Sequence, residues 1–236
     1  MMDTNKCIIT FGSDGWYIQG IDRLEQKLIV VGETCEQIFW RNKYPPNCPP
    51  HKGPNSINYG FKPYAFKDAL NKGYTQIIWS DCSVYPIKPL TPIWEKMDSD
   101  GYFFILNGWG AGSWMTDKSI NKMGVDREES FKIQNLMALF MGLNFEHEIT
   151  RKFFDKWFEY AKDPDVFNGP WTNINECCSP DKRVLGHRHD QSVASIIIHQ
   201  LDMKLTNPQG ILEYWTPNVS GGLTRNDNIL VAKGGI

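Results

Sequence analysis

Apolar and polar positions change period repeatedly along this chain, and each change predicts an element. Cys7-Ile8-Ile9-Thr10-Phe11-Gly12 is a short apolar run closed by the turn cluster Gly12-Ser13-Asp14-Gly15, which predicts a first strand. Ile18, Ile21, Leu24 and Leu28 then recur at helical spacing. Residues 37–40 predict a second strand, and the Pro- and Asn-rich stretch 44–58 predicts a loop. Residues 64–71 read as a helix closed by Gly73. Residues 74–79 form a strongly apolar strand that delivers Ser80-Asp81-Cys82-Ser83 at its carboxyl end. A short helix over 91–97 follows, with Thr91 as its cap and Pro92 at its first position. Residues 102–106 predict another strand, and Asn107-Gly108-Trp109-Gly110-Ala111-Gly112-Ser113-Trp114 predicts a loop.

The second half is less regular. Residues 136–143 read as extended, and 150–161 as a helix with Phe153, Phe154, Trp157 and Phe158 on its apolar side. A long loop over 162–186 leads to a helix over 190–201 bearing Val193, Ile196, Ile197 and Leu201. Short strands are expected around 211–215 and 229–232. Strand and helix alternate through the first half, which predicts an α/β fold with a largely parallel sheet. A length of 236 residues suits one domain, 1–236.

Charge narrows the partners. Lys and Arg total 25 against 27 Asp and Glu, so bulk attraction to a nucleic-acid backbone is not expected. No run is long and apolar enough for a membrane span, and the polar start lacks the pattern of a signal peptide. A cytoplasmic location is therefore expected, with free thiols at the six cysteines. Cys48 and His51 could offer two metal ligands, but no second pair stands nearby. Asn218-Val219-Ser220 fits a glycosylation acceptor, which matters only after export. Nine Trp are more than a core of this size needs, and indoles also stack on sugar rings and bases.

Ligands of open α/β sheets bind beyond the carboxyl ends of the strands. Three turns lie there: Gly12-Ser13-Asp14-Gly15, Ser80-Asp81-Cys82-Ser83 and the Gly/Trp segment 107–114. Asp81 could hold a divalent cation or a ribose hydroxyl, and could equally cap its own turn. Glycine permits close backbone approach to a ligand, so Trp109 or Trp114 could stack on a sugar; one of them could instead sit in the core. Asp190 opens an apolar helix, where a carboxylate can cap backbone N–H groups. His187 and His189 alternate in an extended segment and could face one site, as a metal ligand or a diphosphate contact, or could both be structural. Arg188 between them could brace a diphosphate or make an ordinary ion pair.

Two blocks carry a family resemblance. Phe61-Lys62-Pro63-Tyr64-Ala65-Phe66-Lys67-Asp68-Ala69-Leu70, with Ile77-Ile78-Trp79-Ser80-Asp81-Cys82-Ser83-Val84-Tyr85 and Leu90-Thr91-Pro92-Ile93-Trp94, resembles the donor half of glycosyltransferases of the A-type (GT-A) fold. Gly186-His187-Arg188-His189-Asp190-Gln191-Ser192 looks like the helix start found late in several such families. The likeness covers roughly residues 7–204. It implies a mixed, mostly parallel central sheet flanked by helices. It also implies a nucleotide-diphosphate sugar donor, on UDP or GDP, and a carbohydrate acceptor. Donor contacts would come from Gly12, Ser13, Lys62, Asp81, Ser83, Asn107, Trp109, Arg188 and Lys233. A divalent cation, Mn²⁺ or Mg²⁺, would meet Asp81, Ser83 and His189. Ser83 stands where the family's metal motif has a second Asp, which weakens that ligand set. Asp190 would take the acceptor's proton in an inverting transfer. The alternatives are a non-catalytic glycan- or nucleotide-sugar-binding module, a sugar nucleotidyltransferase, and a transferase acting on modified DNA. The second needs a basic residue in the first turn, and Gly12 to Gly15 has none.

Overall fold

A computed structural model describes residues 5–215 and 227–233 of the chain. Its strands and helices follow in the order β1 (Lys6–Gly12), α1 (Gly15–Val30), β2 (Glu36–Arg41), α2 (Phe61–Asn71), β3 (Gln76–Ser80), β4 (Val84–Pro86), α3 (Thr91–Asp100) and β5 (Tyr102–Gly110). Then come α4 (Asp117–Met123), α5 (Arg127–Ser130), β6 (Gln134–Asn144), α6 (Glu148–Tyr160), α7 (Pro164–Phe167), α8 (His189–Gln200), β7 (Leu212–Tyr214) and β8 (Leu230–Ala232).

The main sheet has the order β2-β1-β3-β6-β5. β1 pairs in parallel with β2 and β3, while β6 runs antiparallel to both β3 and β5. Only β6 is therefore reversed, and the sheet is mixed but mostly parallel, as the strand–helix alternation predicts. A smaller sheet, β4-β8-β7, lies beside it.

Alternation along β1 and β3 builds two cores. Cys7, Ile9, Ile77 and Trp79 face one side, packed with Phe66 of α2, Phe153 and Trp157 of α6, and Val193 and Ile196 of α8. Ile8 and Ile78 face the other, with Leu24 and Leu28 of α1, Ile93 and Met97 of α3, and Val84 and Leu230 of the small sheet. Each such large side chain, fully buried, contributes about 1.5–3 kcal/mol before entropy is counted. This is why β3, buried at all five positions, can hold the chain at Asp81 firmly.

Several boundaries differ from the expectation. α2 begins at Phe61, three residues early, because Pro63 sits in the first turn, where its missing N–H breaks no helical bond. In α3, Leu90 occupies the cap position and Thr91 is the first helical residue. The Gly/Trp segment is not a loop. β5 runs through Trp109 to Gly110, and Ala111–Trp114 forms a single 3₁₀ turn. Its glycines answer to packing, since a Cβ at Gly110 would stand 2.6 Å from the Phe131 carbonyl oxygen. α4 and α5 were not expected. Both are short and owe their starts to side-chain caps, Thr116 accepting from the Ser119 N–H and Asp126 from those of Glu128 and Glu129.

All six cysteines are free. Cys48 and His51 turn to local backbone, the thiol to the Pro49 carbonyl and the imidazole Nδ1 to the Tyr59 N–H. Among the described residues no helix is long and apolar enough to cross a membrane. Asn218-Val219-Ser220 lies outside the described residues.

Candidate active site

The strand ends converge on one buried ion cluster. Lys62, in the first turn of α2, is 3% exposed. Its ammonium lies 2.8 Å from Asp190 Oδ2, 3.1 Å from Asp81 Oδ1, and donates to the Ala138 carbonyl at 2.8 Å. The rings of Trp79 and Tyr59 flank it at 5.4 and 5.8 Å. Burial works to lower the Lys62 pKa, but Asp190 and Asp81 together raise it, so the ammonium stays charged. For Asp190 burial is the dominant influence and lifts its pKa, with Lys62 opposing. One ammonium facing two carboxylates cannot fully compensate both.

Each carboxylate is set by its element. Asp81 follows β3, and its N–H donates to Leu139 of β6 at 2.7 Å. Trp79 Nε1 donates to Asp81 Oδ1 at 2.7 Å, so this indole belongs both to the core and to the site. Asp190 lies in the first turn of α8, whose cap position is Arg188. Its side chain turns onto Lys62 instead of capping the helix. α8 is fastened to β6 through Ser195, whose hydroxyl accepts from the Leu136 N–H at 3.0 Å. It is fastened to the 3₁₀ turn through Ser192, which donates to the Trp114 carbonyl at 2.8 Å.

Two clefts open on this cluster and share Tyr59 and Asp81. The first, about 370 Å³, is walled by Gly12, Ser13, Asp14, Trp16, Tyr17, Phe11, Tyr44, Phe61, Cys82, Ser83 and Lys52. Trp16 and Tyr17 stack on each other there, 3.9 Å between centroids. The second, about 500 Å³, holds Lys62, Asp190, Asn107, Trp109, Trp171, Arg188, Gln191 and Tyr214. Trp109, Trp171 and Tyr214 are each about half exposed at its rim. Arg188 is clamped between the indoles of Trp114 and Trp171, 3.9 and 4.4 Å from their centroids, and donates to the Trp171 carbonyl at 2.8 Å. Burial, and next the charge of Asp190, push the Tyr59 phenol up to about 12, leaving it an O–H donor.

Lys233 reaches the same turn through its backbone, its N–H donating to the Ser83 carbonyl at 2.8 Å, while its ammonium lies over Trp215. Beneath the turn, Arg23 of α1 approaches the Cys82 and Lys233 carbonyls, both at 3.4 Å.

The histidines do not join the cluster. His187 Nδ1 accepts from the Thr116 N–H at 3.3 Å and its Nε2 meets the Phe167 carbonyl at 3.2 Å, so both nitrogens hold backbone. His189 Nδ1 meets the same carbonyl at 2.9 Å, and its ring stacks on Tyr59. It lines neither cleft at Asp81. The expected cation ligands Asp81, Ser83 and His189 are therefore not gathered as one set. Among the described residues no group of three or more His, Cys, Asp or Glu could hold a metal ion.

Sequence reasoning missed Tyr59, Trp171, Tyr214, Trp16, Tyr17 and Arg23. The spacing of Trp16 and Tyr17, directly after the first turn, was the available signal for that pair. The others come from distant segments.

No family model matches the chain, and no curated protein matches it in sequence. Solved structures do match in shape. The bifunctional glycosyltransferase WbbM, in its apo form, aligns at 9% identity and a TM-score of 0.52, covering 99% of this chain and 46% of that one. The chain thus spans about half the length of WbbM. Mouse xyloside xylosyltransferase 1, also apo, aligns at 12% identity and a TM-score of 0.44, covering 91% of this chain and 88% of its own. The galactosyltransferase LgtC with donor and acceptor sugar analogues aligns at 11% identity and a TM-score of 0.40, covering 97% and 87%. The fold of this chain is therefore the α/β fold of GT-A-type glycosyltransferases.

Proposed function

We propose that the protein transfers a sugar from a nucleotide-diphosphate sugar to a hydroxyl of a carbohydrate acceptor. The observation that carries this reading is the buried Lys62 bridge, which places Asp81 and Asp190 on either side of one ammonium where two clefts meet. The first cleft suits the nucleotide. Its aromatic walls offer stacking faces, and in the Asp81–Ser83 turn the carboxylate can accept from a ribose hydroxyl while the Ser83 hydroxyl can donate to the diphosphate. The second suits the sugars, with exposed indoles at the rim and Asn107, Gln191 and Arg188 as polar contacts.

In this reading the acceptor oxygen attacks the anomeric carbon from the second cleft and gives its proton to Asp190 as the glycosidic bond forms. The bond to the diphosphate breaks, and its electron pair leaves with the nucleotide. A raised Asp190 pKa suits a base that must hold a proton briefly. A carboxylate in that role implies inversion at the anomeric carbon.

Asp190→Asn should lose transfer by at least about a hundredfold while nucleotide affinity stays within about threefold. Release of nucleotide diphosphate from a panel of donors, together with binding calorimetry, measures both. Loss of nucleotide affinity in that variant would move Asp190 into the donor pocket. Nucleotide binding with no turnover of any donor by the wild type would leave a binding module.

A further inference from the structure

The charges around Lys62 bear on what neutralises the departing diphosphate. A divalent cation beside a diphosphate is held by one or two protein carboxylates with free oxygens, the rest of its shell being waters and the phosphates themselves. At the Asp81–Ser83 turn the chain supplies one carboxylate and one neutral hydroxyl. Oδ1 of Asp81 is already engaged by Trp79 Nε1 at 2.7 Å and by the Lys62 ammonium at 3.1 Å. The second carboxylate, Asp190, is turned onto the same ammonium at 2.8 Å. His189 is held by the Phe167 carbonyl. Asp14 lines the same cleft, but among the described residues no three His, Cys, Asp or Glu side chains gather to hold a metal ion, and a fixed positive charge stands beside Asp81; this donor set does not fit a divalent cation.

We propose that the site works without a divalent cation, and that the buried ammonium of Lys62, wedged between Asp81, Asp190 and the Ala138 carbonyl, is its resident cation. The proposal rests on the transferase reading. Its chemistry follows from the shared ammonium. When the acceptor's proton arrives on Asp190, that carboxylate becomes neutral and Lys62 loses one of its two negative neighbours. At the same moment the bond to the diphosphate breaks and the electron pair moves onto the leaving group. The positive charge released from Asp190 is then available on the Asp81 side, where the negative charge grows. The guanidinium of Arg23, donating to the Cys82 and Lys233 carbonyls, adds to the positive surroundings of that turn.

Calorimetry with uridine diphosphate and guanosine diphosphate tests this, in EDTA and with excess Mn²⁺. Wild type is expected to bind one of them in EDTA, with affinity changed by less than about threefold on adding Mn²⁺. Ser83→Asp, which restores a second carboxylate, should acquire a Mn²⁺ dependence of about tenfold or more. Removing Lys62 alone strands the buried Asp190 carboxylate beside the half-buried Asp81, so its role is read in the charge-matched background: Asp190→Asn with Lys62→Met should bind about tenfold more weakly in EDTA than Asp190→Asn alone. Wild-type binding that appears only with Mn²⁺ overturns the proposal, as does a silent Lys62→Met change or a Ser83→Asp variant indifferent to Mn²⁺. Failure of both diphosphates to bind under either condition overturns the transferase reading, and this inference with it.

Discussion

Lys62 and the histidine pair respond to burial in opposite ways, because their surroundings differ in charge. Lys62 faces two carboxylates and keeps its proton. His187 and His189 face backbone and each other. Burial, the largest influence on both, lowers His187 to about 3 and His189 to about 4. An unfolded histidine takes up a proton near pH 6.5, whereas the folded protein refuses it until far lower pH. Stability from this pair is thus fully present above 6.5 and is lost as pH falls towards the folded values. At about 1.36 kcal/mol per unit, His189 accounts for roughly 3 kcal/mol across that window. Its backbone is left-handed, φ 43°, which asparagine tolerates. In His189→Asn, the drop in urea midpoint between about pH 7 and about pH 4.5 should be visibly smaller than in wild type. An equal drop in both proteins would assign the acid sensitivity to other groups.

The helix α1 both walls the first cleft, through Trp16 and Tyr17, and positions the turn behind it. A Cβ on Gly20 would overlap the carbonyl of Cys82, so the helix lies directly against the backbone of the Asp81–Ser83 turn. Gly20→Ala should destabilise the protein by about 1–3 kcal/mol and weaken nucleotide binding by about tenfold, since the turn must shift. Thermal unfolding and calorimetry measure the two effects, and wild-type values for both would show that α1 yields instead. The strands β1, β2, β3 and β6 were legible in the sequence because each carries an apolar run flanked by polar or turn residues. Asp81, Asp190 and Lys62 were singled out by the family resemblance of their sequence blocks, but their junction was not foreseen, since it joins α2, the end of β3 and α8. The Gly/Trp segment misled for a local reason. Glycine lowers strand propensity, yet here it admits the backbone of residues 130–131 against β5. Short capped helices such as α5 carry too few apolar positions to show a period.

Across the whole molecule, the proposed transfer assigns the donor and the acceptor to the two clefts that share Asp81 and Tyr59. Trp171→Ala should raise the acceptor KM by about tenfold and leave nucleotide affinity unchanged; Tyr17→Ala should do the reverse. Steady-state kinetics with each substrate varied in turn separates them, and parallel effects on both substrates would merge the clefts into one subsite. Arg188, held between the indoles of Trp114 and Trp171, forms a fixed edge of the second cleft. On the other side, the wall behind Ser83 is made by β4 pairing with β8, and by the Lys233 amide bound to the Ser83 carbonyl. That pairing has a consequence for the order of assembly during synthesis. The carboxylates and their ammonium can come together once α8 has emerged from the ribosome. The wall behind Ser83 must wait for residues 230–233, so under the proposed function the growing chain would assemble its carboxylate pair before the wall of its donor cleft.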